Sequence, residues 1–192
     1  MRIIGGIYKS RIFRPGKNFK ARPTTDFARE NLFNILDNRY NFENKRILDL
    51  FSGTGCISFE FASRGCMNIT SVELDRFHYN FICSVIENLD IKNIVRAVNT
   101  DAFKFIGRSP GQWDIIFADP PYEIRRLAEI PDLILNSKLL CNEGLLILEH
   151  GKTNDFSSHP FFSELRTYGS VHFYFFIQKN KSVHISDSLI EI

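Results

Sequence analysis

The sequence predicts an α/β fold, with a mostly parallel sheet, helices on both faces and an antiparallel hairpin at the C-terminal end. From residue 46 onward, short apolar runs alternate with amphipathic stretches, and each run ends in small or acidic residues. This rhythm is typical of βαβ units, whose strands are parallel. Near the C-terminus two apolar runs flank Tyr168, Gly169 and Ser170, which indicates a tight turn between antiparallel strands. The 192 residues are enough for one domain with its own core.

The individual elements follow from local patterns. Thr24, Thr25 and Asp26 offer N-cap side chains to a helix that precedes the sheet, and apolar residues recur behind them at helical spacing. Further helices are expected to begin after Gly55, Asp75, Asp101 and Tyr122. Strands are predicted at residues 46–51, 68–73, 94–99, 113–118, 144–149, 165–167 and 171–178.

Basic residues are concentrated at the N-terminus. Residues 1–22 carry seven bases and no acid, which leaves 17 bases against 22 acids in the rest of the chain. A basic arm on a mildly acidic body is typical of proteins with a polyanionic partner, although a solvated, flexible terminus would have the same composition. The seven bases are Arg2, Lys9, Arg11, Arg14, Lys17, Lys20 and Arg22. We therefore divide the chain into a basic arm or hairpin (1–22), a folded domain (23–178) and a polar tail (179–192).

The composition excludes several classes of protein. Hydrophobic residues make up 44% of the chain and charged residues 24%, which is the balance of a folded globular protein. No apolar stretch approaches the roughly 18 residues of a membrane span, so we expect a cytoplasmic protein with no membrane partner. The four cysteines form no C-x-x-C pair and the five histidines show no ligand spacing. We therefore expect reduced thiols and no metal site.

The first strand runs into a turn with two glycines, Gly53 and Gly55, just before a predicted helix. Glycines at such a turn allow the backbone to approach a ligand closely, next to a helix N-terminus. The turn, which follows Asp49, could bind a dinucleotide or S-adenosylmethionine, or could simply be tight. The dinucleotide fingerprint would place a third glycine at position 58, where this chain has Ser58, and this counts against NAD.

Acidic residues follow the next two strands. Glu73 ends the second strand, where a carboxylate can accept hydrogen bonds from both ribose hydroxyls of an adenosine. Asp101 opens the helix after the third strand and could pair with an adenine amino group, with Phe103 as an apolar wall. The same aspartate could equally be only a helix cap.

The strongest chemical signal is Asp119-Pro120-Pro121-Tyr122, directly after the fourth strand. Two prolines cannot continue a sheet ladder, and they stiffen the backbone where the strand ends. The amino nitrogen of a nucleobase is a poor nucleophile because its lone pair is delocalised into the ring. The Asp119 carboxylate and the Pro120 carbonyl could hold its two N–H bonds and turn the lone pair towards a methyl donor. Tyr122 offers a face on which the base can stack.

Three motifs in this order, D-L-F-S-G-T-G (49–55), V-E-L-D (72–75) and D-P-P-Y (119–122), make the chain similar to class I Rossmann-like methyltransferases. With M-R-I-I-G-G (1–6) and R-P-T-T-D (22–26), it resembles the RsmD family, bacterial enzymes that methylate the N2 amino group of a guanine in 16S ribosomal RNA. The similarity covers nearly the whole chain, from Met1 to about Gln178. It departs from the usual family pattern at Phe27 and Ala28, where a more polar or basic helix start is common, and at Tyr122, where Phe is common.

The resemblance implies a seven-stranded sheet, S-adenosylmethionine as methyl donor, and 16S rRNA in a small ribosomal subunit or its assembly intermediate as partner. Asp49, Gly53 and Gly55 would contact the methionine end of the cofactor, Glu73 its ribose, and Asp101 and Ala102 its adenine. The segment from Asp119 to Tyr122 would hold the target base. RNA binding is expected from Lys9, Arg11, Arg14 and Arg22, and we expect a monomer.

Other functions share parts of this pattern. A D-P-P-Y site also serves adenine N6, cytosine N4 and protein glutamine amides, although the basic arm favours nucleic acid. A binding module could have kept the fold and lost turnover, and a nicotinamide oxidoreductase would use a similar glycine turn. Methylation assays, cofactor binding without methyl transfer and an NADH titration would separate these possibilities.

Overall fold

A computed structural model describes residues 1–16, 24–121, 123–151 and 154–178. Within these ranges the helices are α1 (Asp26–Arg39), α2 (Cys56–Ser63), α3 (Arg76–Leu89), α4 (Ala102–Arg108) and α5 (Ile130–Leu135), with a short 3-10 helix at Leu127–Glu129. The strands are β1 (Arg46–Leu50), β2 (Asn68–Glu73), β3 (Val95–Asn99), β4 (Trp113–Ala118), β5 (Leu140–His150), β6 (Phe162–Tyr168) and β7 (Val171–Ile177).

The strands form one seven-stranded sheet in the order β3-β2-β1-β4-β5-β7-β6. The first five strands are parallel, and β7 runs antiparallel to both β5 and β6. The predicted fold class is therefore confirmed, including the antiparallel C-terminal hairpin. No helix among the described residues has both the length and the apolar character needed to cross a membrane.

Two apolar layers cover the faces of the sheet. Because side chains alternate along a strand, Ile47 faces one layer and Leu48 the other. The first layer packs the sheet against α1, α2 and α3, and the second packs it against α4 and α5. The chain builds β1, β2 and β3 outward in one direction and then returns to place β4 on the other side of β1. In open α/β sheets this reversal opens a crevice at the carboxyl ends of the strands, where ligands bind.

Residues 1–16, the described part of the basic N-terminal segment, form a hairpin packed on the domain. Its ends meet at an antiparallel bridge between Arg2 and Ile12, and the Met1 amino group donates to the Phe13 carbonyl. Ile3 is buried in the first apolar layer, and the Ile7 amide donates to the carbonyl that ends α2. The hairpin is thus attached through both its backbone and its core side chains.

A buried ion pair fixes this hairpin to α1 and α2. The Glu60 carboxylate accepts the Ile4 and Gly5 amides at 2.6 and 3.3 Å, and it also pairs with Arg64. Arg29, whose side chain is 1% exposed, lies 3.4 Å from the same carboxylate and donates to the Arg2 carbonyl at 2.7 Å. Neither charge reaches bulk water, so each depends on these partners.

Some element boundaries differ from the sequence prediction. β1 ends at Leu50 rather than 51, because Phe51 has a φ of +59°, outside the extended region. β3 begins at Val95, one residue late, and β5 begins at Leu140, four residues early. The helix expected directly after Tyr122 starts only at residue 127, and its regular part contains Pro131 in the first turn. The predicted tail at 179–192 lies outside the described residues.

We expect the substitution Arg29→Met to reduce the free energy of unfolding by about 3 to 5 kcal/mol. The methionine keeps much of the apolar stem but leaves the Glu60 carboxylate buried without one of its cations. Urea denaturation followed by circular dichroism measures the effect. Arg39→Met is the matched control, since Arg39 pairs with Glu164 at the surface and such pairs contribute at most about 1 kcal/mol. An Arg29 variant as stable as the control would contradict the proposed role of the buried pair.

Candidate active site

A cavity of about 700 Å³ lies at the carboxyl ends of the parallel strands, where the strand order reverses. Its volume is typical of small-molecule sites. The sequence-predicted residues that line it are Asp49, Gly53, Glu73, Asp101, Ala102, Asp119, Pro120 and Pro121. Tyr122 and Arg22 lie outside the described residues. The structure thus brings the predicted residues of separate segments to one cavity.

The glycine turn after β1 is held in a strained, compact shape. Phe51 has a φ of +59° although it is not glycine, and Gly53 and Gly55 follow at +53° and +72°. The Ser52 amide donates to the Val72 carbonyl and its hydroxyl donates to the Asp49 carbonyl at 2.7 Å, so the turn is tied to β1 and β2. A non-glycine residue held at positive φ is a common feature of ligand-binding turns.

Gly55 has a packing role and does not line the cavity. A Cβ atom there would lie 2.8 Å from the Phe59 ring and 3.1 Å from Ile82, and the residue starts α2 in the left-handed conformation. Its amide donates to the Ser52 carbonyl at 2.7 Å. The second glycine of the motif therefore allows the turn to pack closely on α2 and α3, while Gly53 lies in the wall.

Asp49 is almost fully buried beneath this turn. Its carboxylate accepts the Ser58 hydroxyl at 2.6 Å and the Ser58 amide at 3.2 Å, inside the first turn of α2. Burial raises the pKa of Asp49 to about 7, because desolvation outweighs the hydrogen bonds from Ser58 and the negative charge of Glu73 adds to the effect. Because the pKa of Asp49 lies near neutrality, a cation that bound beside this side chain would favour its ionised form.

Glu73 closes one side of the glycine turn. One carboxylate oxygen accepts the Gly53 amide at 2.7 Å and the other accepts the Asp75 amide at 2.8 Å. These bonds fix the carboxylate at the end of β2, and His78 lies 3.8 Å away. Each oxygen keeps a further lone pair, so the group can still accept hydrogen bonds from a pair of hydroxyls.

Asp101 caps a helix and also lies in the cavity wall. Its side chain caps α4 by accepting the Lys104 amide at 2.9 Å, and the residue also lines the cavity beside Ala102. Phe103 packs edge-on against Phe51, with ring centroids 5.8 Å apart, and Arg126 lies 4.3 Å from the centre of the Phe103 ring. These rings support the apolar part of the wall.

Asp119 follows β4 directly, and its amide donates to the Leu50 carbonyl at 3.4 Å. The residue is half-buried. The pKa of Asp119 lies well above its ordinary value because the surrounding protein removes water from the carboxyl group and because Glu149 and Asp49 add negative charge. Pro120 is buried, whereas Pro121 is exposed and its carbonyl accepts the Ile124 amide. The prolines thus hold the aspartate at a rigid strand end.

Many residues of the cavity lining were missing from the sequence-based site, among them Thr24, Thr25, Phe51 and Glu149. Thr25 caps α1, as predicted, but Thr24 and Thr25 also line the cavity, and Thr24 donates its hydroxyl to Glu149 at 2.8 Å. Phe51 was not identified because its backbone conformation has no sequence signature. Glu149 had a usable signal, since an acid at the end of an apolar strand is the pattern that identified Glu73.

The basic hairpin residues lie apart from the cavity wall. Lys9, Arg11 and Arg14 are exposed, and none forms an ion pair within the described part of the chain. Arg11 lies 5.6 Å from the centre of the Tyr8 ring, a cation–π arrangement. The hairpin therefore exposes the positive charges of these three side chains to solvent.

The chain is similar to several known proteins in sequence and in fold. The model of a family described as Conserved hypothetical protein 95 matches residues 1–177. Ribosomal RNA small subunit methyltransferase D of Escherichia coli K12 is 31% identical over 160 residues, which cover 83% of this chain and 79% of that protein. The same-named protein of Buchnera aphidicola (Baizongia pistaciae) is 33% identical, over 80% of this chain and 77% of its own. A solved structure of YhhF from Escherichia coli superposes with a TM-score of 0.80 at 29% identity, covering 93% of this chain and 98% of its own.

We expect Asp49→Asn to change how stability depends on pH. The folded chain keeps the Asp49 proton up to about pH 7, whereas an ordinary aspartate loses it near pH 3.8, so stability falls as the pH rises between these values. The variant should be more stable than the parent by about 2 to 4 kcal/mol at pH 8 and hardly different at pH 4. Urea titrations at several pH values test this. Asp37→Asn, at an exposed carboxylate, is the control; an equal response of both variants would contradict the assignment.

Proposed function

The chain belongs to the Conserved hypothetical protein 95 family, which is the RsmD family of S-adenosylmethionine-dependent methyltransferases, and we propose that it methylates the N2 amino group of a guanine in 16S rRNA. The observation that carries this proposal is the position of Asp119. Its half-buried carboxyl group stands at a proline-stiffened strand end, in the same cavity as Glu73 and the glycine turn. One cavity thus combines acceptors suited to an adenosine with an acceptor suited to an amine.

The residues proposed to hold the cofactor all line this cavity. We propose that Glu73 binds the ribose hydroxyls, that Asp101 and Ala102 contact the adenine, and that Asp49 and Gly53 contact the methionine end. Burial, with a smaller contribution from the charge of Glu73, raises the pKa of Asp49, and a positively charged ligand beside this carboxyl group would offset that effect. When bound, S-adenosylmethionine supplies an electrophilic methyl group on a positively charged sulfur.

The residues of the chain would then activate the acceptor amine. The Asp119 carboxylate and the Pro120 carbonyl would each accept a hydrogen bond from one N–H group of the amine, which would direct the nitrogen lone pair towards the methyl group. The cofactor, held by Asp49, Gly53 and Glu73, would supply the methyl group to this lone pair, and its sulfur would keep the electron pair of the broken C–S bond. The amine gives up one proton, and the raised pKa of Asp119 suits it as the acceptor. Tyr122 is proposed to stack on the base.

The docked hairpin is the proposed RNA anchor, through Lys9, Arg11 and Arg14, with Arg22 as a further contact. Its positive charge is fixed on α1 and α2 by Glu60, so it can bind phosphates without first becoming ordered. We propose that the protein acts as a cytoplasmic monomer on a small ribosomal subunit or its assembly intermediate.

Replacing Asp119 is expected to separate catalysis from cofactor binding. Asp119→Ala should lower turnover about 100- to 1000-fold, by analogy with the loss of one preorganised group, and leave S-adenosylmethionine affinity nearly unchanged. Asp119→Asn should be milder, because an amide oxygen still accepts one hydrogen bond. The parent enzyme should gain kcat/KM as pH rises through the raised pKa of Asp119, and the Asn variant should lose this rise.

The assay transfers labelled methyl groups to small-subunit particles from cells that lack the protein, followed by mass spectrometry of the nucleosides. Asp132→Ala, at an exposed aspartate of α5 outside the cavity, is the control and should keep full activity. N2-methylguanosine supports the proposal. N6-methyladenosine or N4-methylcytidine would overturn the proposed base, and parent-like turnover in Asp119→Ala would overturn the mechanism.

Neutralising the hairpin should weaken RNA binding rather than chemistry. The triple variant Lys9→Gln, Arg11→Gln, Arg14→Gln is expected to bind particles less tightly and with a flatter salt dependence, by about 0.7 to 0.9 in log–log slope for each lost phosphate contact. Turnover at saturating particle concentration should change little. Filter binding at several salt concentrations tests this, with Lys92→Gln as a control at an exposed lysine outside the hairpin. An unchanged slope would remove the hairpin from the RNA interface.

A further inference from the structure

Glu149 occupies a defined place beside Asp119. The parallel register of β4 and β5 runs from Ile115 with Leu145 to Ala118 with Leu148. Asp119 and Glu149 are therefore the next residues on neighbouring strands, whose spacing is about 4.8 Å. Since side chains at one level of a parallel pair share a face, both carboxyl groups point to the same side of the sheet. Both residues line the cavity.

Glu149 is buried and is held in place by a buried hydrogen bond. The residue is 2% exposed, and its carboxylate accepts the Thr24 hydroxyl at 2.8 Å. Thr24 is itself buried, and its carbonyl accepts a hydrogen bond from Arg29 at 3.4 Å. Placing a carboxyl group here, against another at Asp119, costs free energy that an apolar residue would avoid. This cost favours a role at the cavity.

The chemistry of the proposed substrate indicates what that role is. The Watson–Crick edge of guanine presents the N2 amino group next to the N1–H donor, whereas adenine has an N1 acceptor beside its amino group. Enzymes that act on a flipped base read this edge with hydrogen bonds. A carboxylate next to Asp119 can accept a hydrogen bond from the N1–H group of guanine, whereas it would repel the N1 lone pair of adenine.

We propose that Glu149 accepts the N1–H of the target guanine while Asp119 holds its N2 amino group, which makes Glu149 the residue that selects guanine. The inference rests on the proposed function and deepens it. Thr24 orients the Glu149 carboxylate from the side of α1. A site built to pair a polar group of its substrate rejects an analogue that lacks this group, because the protein partner is left unpaired.

The test compares two target nucleotides. Once the modified guanosine has been mapped, particles are reconstituted with RNA that carries either guanosine or 2-aminopurine riboside at that position. The analogue keeps the 2-amino group but has an N1 acceptor without a proton. The parent enzyme should prefer guanosine by about 100-fold or more in kcat/KM, consistent with loss of a paired polar group. Glu149→Gln should shrink this ratio at least about tenfold, because its amide can donate to N1 of the analogue.

Controls separate this inference from the proposed function and from a purely structural role. Glu143→Gln, at an exposed position near the start of β5, should keep the parent ratio. Glu149→Asp keeps the charge and should keep the preference for guanosine. A structural role would lower both rates together without changing the ratio, and this result would overturn the inference.

The parent enzyme alone provides a second test if the Gln variant fails to fold. Equal rates on guanosine and 2-aminopurine would overturn the role of Glu149, while formation of N2-methylguanosine would still support the proposed function. Absence of any methylated guanosine would instead overturn the proposed function itself.

Discussion

The parallel register of β4 against β1 and β5 is the constraint on which the site depends. Asp49 lies opposite Phe117, and Ala118 lies opposite Leu148. Asp119 and Glu149 follow the second pair directly, so both lie with Asp49 at one edge and on one face of the sheet. A slip of one residue between β4 and β5 would turn Glu149 to the opposite apolar layer and bring Leu148 to the cavity. The apolar layers on both faces of the sheet secure this register, because a slip would also move the apolar side chains of the shifted strand to the opposite layer.

The same register creates an electrostatic cost. Burial raises the pKa of Asp119, and the negative charges of Glu149 and Asp49 add to this rise, whereas the pKa of Asp49 is raised by burial with a contribution from Glu73. Such an arrangement lowers the stability of the empty protein near neutral pH and is offset by the core on either side. It also favours ligands that bring positive charge or N–H donors, which a sulfonium donor and an amine acceptor both do. The destabilising feature and the proposed function therefore have one physical origin.

Much of this arrangement could be predicted because it depends on local patterns. Glu73 ends one apolar strand and Asp119 directly follows another, and parallel strands end at one edge of the sheet, so the meeting of these two residues follows from the fold class. Other features depend on distant contacts. Nothing near Glu60 in the sequence indicates that it binds the Ile4 and Gly5 amides, and the unusual φ of Phe51 results from the ties between Ser52, β1 and β2. Glu149 was not among the predicted site residues, although it ends its predicted strand as Glu73 does, and the Thr24 hydroxyl that it accepts lies 125 positions away in the sequence.

A series of hydrogen bonds connects the hairpin, which is the proposed RNA anchor, to the cavity, which is the proposed site of methylation. Arg29 donates to the carbonyl of Arg2 in the hairpin and to that of Thr24, and Thr24 donates to Glu149 in the cavity. A flexible basic arm would lose conformational entropy when it bound phosphate, which would weaken binding. It would also leave the distance between the bound phosphate and the reacting base variable. Here the buried Arg29 and Glu60 side chains hold the hairpin and the start of α1 in fixed relation. Phosphate contacts at Lys9 or Arg11, as proposed, would therefore position the RNA directly against the groups proposed to read and activate the base, since the spacing between the hairpin and these groups is already set.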